Sequence, residues 1–224
     1  MTSTDSTAAS RLSDVRAGIA RAARIAGRDA AGVTLIAVSK THPADIIRPL
    51  LDAGQRDFGE NRVAEAADKW PGLRADYDDI RLHLVGQLQS NKAEDAVALF
   101  DCIHSVDRPS LVAALAKAMT AQGKRPDCFI QVNIGDEPQK GGCPLAELPT
   151  LLDTARAAGL PVIGLMCVPP ADIEAAPFFA LLAKLARDHA LPALSMGMSG
   201  DYETAVMLGA THVRVGSALF GARD

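Results

Sequence analysis

The chain has 224 residues, 48% of them hydrophobic and 22% charged, which is enough apolar material for a sizeable folded core. A formal net charge of −4 leaves no basic footprint for nucleic acid; no apolar run reaches the ~18 residues of a membrane helix, and the opening MTSTDSTAAS lacks the basic start and apolar centre of a secretion signal. The cysteines Cys102, Cys128, Cys143 and Cys167 are widely spaced without a CxxC pair, which argues against a zinc site and fits reduced thiols in a soluble cytoplasmic protein.

Residues 1–10 are polar and expected to be disordered. Beyond them Leu12, Val15, Ile19 and Ala23 recur at helical spacing, and the pattern stops at Gly27. Apolar stretches that read as buried parallel strands then fall near 33–38, 56–58, 82–86, 101–104, 128–133, 162–167, 193–196 and 212–215. Helical segments alternate with them at 44–53, 62–69, 90–99, 109–121, 145–157, 176–188 and 201–208. Pro43 suits a first helical position, and Gly54, Gly123, Gly159 and Gly209 follow helix ends. Pro49 is expected to kink or break the second of these helices, counting the one that ends at Gly27.

Eight strands alternating with helices define a single (β/α)8 TIM barrel with an extra N-terminal helix, one domain over residues 1–224. A doubly wound sheet is the alternative, but no strand is followed by GxGxxG. The length falls slightly below the ~250 residues typical of a barrel, so its loops must be short.

Functional groups of such barrels gather at the C-terminal ends of the strands. Those ends carry Ser39-Lys40, then FGENR with Glu60, Asn61 and Arg62, then HLVGQLQSNK, HSVDR, QVNIGDEPQKGG, MCVPP, SMGMSGD and HVRVGS. Lys40 closes the apolar run TLIAV, where a snorkelling strand-end lysine and a Schiff-base-forming amine are both open. SMGMSG and RVGSALFG offer Ser199, Gly200, Gly216 and Ser217 as an anion cup at the strands where barrels often hold phosphate. Ser199 as a plain N-cap and Gly216 as a turn glycine fit the same residues, and Asp201 and Glu203 would repel an anion. A small aldehyde bearing a phosphate satisfies Lys40 and the cup together, and pyridoxal 5′-phosphate is the common cofactor of that description. Arg214 is then a candidate partner for the ring nitrogen, against the alternative of a surface ion pair.

Other groups read as structural. His83 and His104 lie within apolar strand patterns, as hydrogen-bonded core histidines do, and His42, His189 and His212 lack metal spacing. Cys143 reads as a passive loop thiol, Lys92 as a solvated helix lysine, and Trp70 as packing a helix end. No GxSxG elbow or Walker loop is present.

The blocks AVSKTHP, FGENRVAEAADKW, HLVGQLQSNK, HSVDR, GLMCVPP and LSMGMSGDYETAVMLGATHVRVGSALFGARD resemble the pyridoxal phosphate homeostasis protein family, single-domain relatives of the alanine racemase N-terminal barrel. The likeness runs in order from about Val33 to Asp224. It implies pyridoxal phosphate held as an aldimine on Lys40, with its phosphate around Ser199, Gly200, Gly216 and Ser217. It also implies Arg214 facing the pyridine nitrogen and Asn61 close to the cofactor. Two local departures, Ala64 where glutamine is common and PQKGGCP where a Lys-Ser-Gly run is usual, touch none of these positions.

The resemblance further implies a protein of intracellular vitamin B6 homeostasis that binds the cofactor and passes it to apo-enzymes, with no robust catalytic turnover and at most a weak racemase-type activity. Nothing in the sequence demands an oligomer, and a monomer is expected. An amino-acid racemase is the alternative. It needs a second acid/base group opposite the lysine, and only Tyr77, before the third strand, and Tyr202, beside the cup, are available. A cofactor-free Schiff-base aldolase would explain Lys40 but not the cup.

Overall fold

The structure, a computed structural model, describes residues 7–221. Eight parallel strands form a closed barrel in sequence order: β1 Thr34–Val38, β2 Asp57–Glu60, β3 Arg81–Leu84, β4 Cys102–Val106, β5 Asp127–Val132, β6 Val162–Cys167, β7 Ala193–Ser195 and β8 His212–Val215. The ring closes where β1 pairs with β8, Thr34 opposite His212 and Ala37 opposite Val215. The first helix, α1 (Ala8–Ile25), precedes the barrel, and α2 (Ala44–Asp52), α3 (Val63–Asp76), α4 (Ala93–Leu99), α5 (Pro109–Gln122), α6 (Leu148–Ala157), α7 (Ala176–Asp188), α8 (Tyr202–Met207) and α9 (Ser217–Phe220) follow the strands in turn. No helix among the described residues is long and apolar enough to cross a membrane.

The sequence pattern explains this alternation. The longer helices that follow the strands each bury one stripe in the core, such as Ile47, Leu50 and Leu51 of α2 or Phe179, Leu182, Ala183 and Ala186 of α7. Each large aliphatic side chain so buried contributes about 1.5–3 kcal/mol. Helix α1 packs across α8 and α9 through Leu12, Val15 and Ile19. Gly18 lets Tyr202 approach, since a Cβ there would lie 2.3 Å from the tyrosine hydroxyl.

Several expectations need correction. Helix α1 begins at Ala8, with the Thr7 hydroxyl accepting from Ser10 N at 3.2 Å, so residues 8–10 are ordered; residues 1–6 lie outside the described residues. Pro43 is the N-cap of α2, one position before the helix. Pro49 does not break α2, which continues to Asp52. Its missing N–H would have met the carbonyl of Asp45, and both residues are on the exposed face, where a carbonyl without a helix partner costs little because it can face solvent. For the same reason α3 runs through exposed Pro71 to Asp76. Trp70 is fully buried mid-helix in α3, with Nε1 donating to Glu60 Oε1 at 3.0 Å. The expected glycine stops hold: Gly27, Gly54, Gly123, Gly159 and Gly209 all have positive φ.

Inward-facing aromatic rings fill part of the barrel. His104 stacks on Phe129 with centroids 4.4 Å apart, and His83 and His212 pack edge-on or tilted around them. Burial pushes His104 well below its ordinary value and His212 down to about 4, with the charges of neighbouring histidines adding to the effect.

Candidate functional site

The C-terminal strand ends surround a cavity of about 460 Å³. All seven residues singled out from the sequence border it: Lys40, Asn61, Ser199, Gly200, Arg214, Gly216 and Ser217. Val38, His42, Val85, Val168, Met198 and Gly221 complete the wall. Sequence reasoning did not single these out, although Val38, Val85 and Val168 end or directly follow β1, β3 and β6, where the barrel rule looks for site residues.

The segment carrying Lys40 is held on both sides. Ser39, fully buried, donates its hydroxyl to Glu60 Oε1 at 2.7 Å. The Lys69 ammonium, from α3, donates to the Ser39 and His42 carbonyls at 3.1 and 3.0 Å and pairs with Glu60 Oε1 at 2.7 Å. Thr41 adopts φ +66°, uncommon for a residue with a Cβ, and the Glu65 carboxylate accepts its N–H. Lys40 itself is half-buried. It stands on a clamped turn at the cavity wall. Asn61 is seated by a close approach, because a Cβ on Gly86 would fall 2.3 Å from the Asn61 carbonyl oxygen.

Beside the Lys40 segment, since β8 pairs with β1, the two glycine-containing segments are joined. Ser199 does not cap α8, whose N-cap is Asp201; its Oγ instead accepts from Gly216 N at 3.1 Å and Ala218 N at 3.4 Å. Neither acid in question borders the cavity. Asp201 accepts from Met198 N at 2.6 Å, and Glu203 pairs with Arg21 at 2.7 Å. Arg214 is 5% exposed and is no surface ion pair. Its guanidinium donates to Ser195 Oγ at 2.7 Å and to the Cys167 carbonyl at 2.9 Å, and burial lowers its pKa from the ordinary value.

The remaining candidates stay outside. Lys92 is half-exposed and pairs with Asp95 at 3.3 Å. Cys143 is buried, and burial pushes its thiol up to about 12, so it is unreactive. Among the described residues one group, His83, Cys102 and His104, places metal-ligand atoms within 4.8 Å of one another. Its histidine nitrogens are engaged in hydrogen bonds, and burial holds the Cys102 thiol well above its ordinary value.

The family model of the alanine racemase N-terminal domain matches residues 11–224. The chain is 41% identical over 98% of its length to the pyridoxal phosphate homeostasis protein of Pseudomonas aeruginosa, of which it covers 97%. It is 40% identical over 96% of its length to the protein of the same name from Escherichia coli K12, again covering 97%. Among solved structures, PipY of Synechococcus elongatus with PLP bound superposes with a TM-score of 0.79 at 40% identity, covering 96% of this chain and all of that one (100%). The chain belongs to the pyridoxal phosphate homeostasis protein family.

Proposed function

We propose that the protein binds pyridoxal 5′-phosphate in the cavity at the barrel mouth and passes it to apo-enzymes, as a carrier in vitamin B6 homeostasis. The observation that carries this reading is the convergence of Lys40, Arg214, Ser199, Gly216 and Ser217 on one cavity. The donor set fits the group: an amine suits an aldehyde carbon, backbone N–H groups and hydroxyls suit a phosphate, and a guanidinium suits a ring nitrogen. The PLP-bound relative supports the same reading.

When bound, pyridoxal phosphate supplies an electrophilic aldehyde carbon and an electron-withdrawing ring. Lys40 would offer Nζ as the nucleophile toward the aldehyde carbon, whose oxygen would leave as water. Ser199, Gly200, Gly216 and Ser217 hold the phosphate, and Asn61 borders the ring. Arg214 would face the ring nitrogen as a donor that cannot accept a proton, which would leave the ring a weak electron sink. That favours holding over catalysis.

The disposition of the tyrosines favours a carrier over a racemase. Neither of the chain's two tyrosines borders the cavity. The Tyr202 hydroxyl lies by Gly18 of α1 and bonds Glu203 at 3.4 Å, and that of Tyr77 bonds Asp52 at 2.6 Å at the other end of the barrel.

The test is a visible spectrum of the purified protein before and after borohydride reduction, with peptide mapping of the adduct. A yellow protein labelled at Lys40 supports the reading, and reactivation of an apo-enzyme in the presence of a trap for free cofactor supports transfer. A protein that stays colourless after incubation with pyridoxal phosphate overturns it. An unchanged band in Lys40→Ala would remove the lysine from its role.

A further inference from the structure

Arg214 is also one end of a buried hydrogen-bond chain that crosses the barrel. Its Nη1 donates to Ser195 Oγ at 2.7 Å, and that hydroxyl lies 2.8 Å from His104 Nδ1. His104 Nε2 is 3.0 Å from His83 Nδ1, and His83 Nε2 is 3.0 Å from Asp57 Oδ1. The links come from β8, β7, β4, β3 and β2 in turn. Asp57 is the first residue of β2, so the chain ends at the face of the barrel opposite the cavity, where the Asp57 side chain is 26% exposed.

Donors and acceptors leave one consistent direction. A guanidinium only donates and a carboxylate only accepts. Ser195 therefore takes the Arg214 proton on its oxygen and gives its own hydrogen to His104 Nδ1. His104 gives its Nε2 hydrogen to His83 Nδ1, and His83 gives its Nε2 hydrogen to Asp57. Reversing both imidazoles would set the lone pair of His83 Nε2 against a carboxylate oxygen 3.0 Å away. Adding a proton to His83 would place two donors on Ser195 Oγ and give the hydroxyl hydrogen no acceptor in the chain. His104 is fully buried and held neutral, as the chain requires, and the stack on Phe129 fixes its ring plane.

We infer that Ser195, His104, His83 and Asp57 are positioning residues for Arg214, forming a one-way chain that orients the guanidinium at the cavity from an anion at the far end of the barrel. This rests on the role proposed for Arg214 toward the cofactor's ring nitrogen. The consequence is action at a distance: Asp57 does not border the cavity, yet it sets the tautomer of both histidines and so the acceptor offered to Arg214.

The test is nitrogen-15 NMR of the histidine and arginine side chains in the full-length protein, for wild type, Asp57→Ala and Asp57→Asn. Each is then loaded with pyridoxal phosphate and its visible spectrum recorded, with circular dichroism confirming the fold. In wild type both His83 and His104 carry hydrogen on Nε2 alone. In Asp57→Ala that single-tautomer pattern is lost at both histidines, Arg214 side-chain hydrogens exchange faster, and the visible band shifts. Asp57→Asn keeps a carbonyl acceptor and restores all three. An imidazolium or an Nδ1–H tautomer at either histidine of the wild type overturns the chain, and this result needs no variant. A band unmoved in Asp57→Ala despite scrambled tautomers overturns the link to the cofactor. If wild type takes up no pyridoxal phosphate, the function proposed above falls. The chain is then judged on Arg214 exchange alone, where equal rates in wild type and Asp57→Ala overturn it.

Discussion

The hydroxyl oxygen of Ser199 accepts the backbone N–H of Gly216 at 3.1 Å, tying the loop after β7 to the loop after β8 across the cavity wall. One small side chain thereby holds together the two segments assigned to the phosphate. Ser199→Ala removes both this tie and a donor to the anion. Hydrogen bonds to charged groups contribute about 1.5–3 kcal/mol, so affinity for pyridoxal phosphate should fall roughly ten- to a hundredfold. Affinity for pyridoxal, which lacks the phosphate, should change little. Fluorescence titration with both ligands checks this, and an equal loss for the two would move Ser199 out of the phosphate site.

The buried pair of Lys69 and Glu60 braces the Lys40 turn. Their side chains are 8% and 0% exposed, and Trp70 and Ser39 also donate to the carboxylate. Breaking one partner of such a pair leaves an uncompensated buried charge, so Lys69→Met should cost about 3–5 kcal/mol in stability. The double variant Lys69→Met, Glu60→Gln should cost less, since it leaves no buried charge. Urea denaturation measures both. A single-variant loss of about 0.5 kcal/mol, the scale of an ordinary surface change, would show that the pair does not brace the turn.

Gly86 is the residue against which Asn61 rests. A methyl group there would meet the Asn61 backbone at 2.3–2.8 Å, and backbone yields less than a flexible side-chain tip. Gly86→Ala should destabilise the protein by about 1–3 kcal/mol, the usual cost of overpacking, and weaken cofactor binding as Asn61 is displaced. A thermal melt and a binding titration on the same sample test the coupling. Normal binding in a destabilised variant would separate Asn61 from the site.

The barrel histidines make stability depend on acid. An unfolded histidine titrates near 6.5, whereas burial takes His212 down to about 4 in the folded state. Between these values the unfolded chain binds a proton that the folded chain does not, so stability is complete above pH 6.5 and falls as the pH drops toward 4. Each such histidine contributes a slope of up to about 1.4 kcal/mol per pH unit. Urea midpoints across this range should therefore decline with acidity, and His212→Gln should flatten the decline. A variant with the wild-type slope would mean that His212 protonates without cost in the folded barrel.

The alternation of eight apolar runs with helical segments determined the barrel. Burying a parallel strand on both faces demands a continuous apolar run, and a helix needs only a local stripe, in several cases with a glycine stop. The same local logic placed Lys40, Asn61, Ser199, Gly200, Arg214, Gly216 and Ser217 at strand ends, which closure of the barrel brings to one cavity. Pro49 was the local signal that misled, because whether a proline breaks a helix depends on which face it occupies. What those side chains touch was decided only by the tertiary structure. Ser199 reads locally as an N-cap but bonds the start of α9. Trp70 reads as a helix-end side chain but bonds Glu60, and the chain from Arg214 to Asp57 joins five strands, with His104 and Ser195 separated by 91 positions. Periodicity records burial, which every residue carries in its own hydrophobicity. A hydrogen bond between distant residues exists only once the closed barrel sets both partners within about 3 Å of one another.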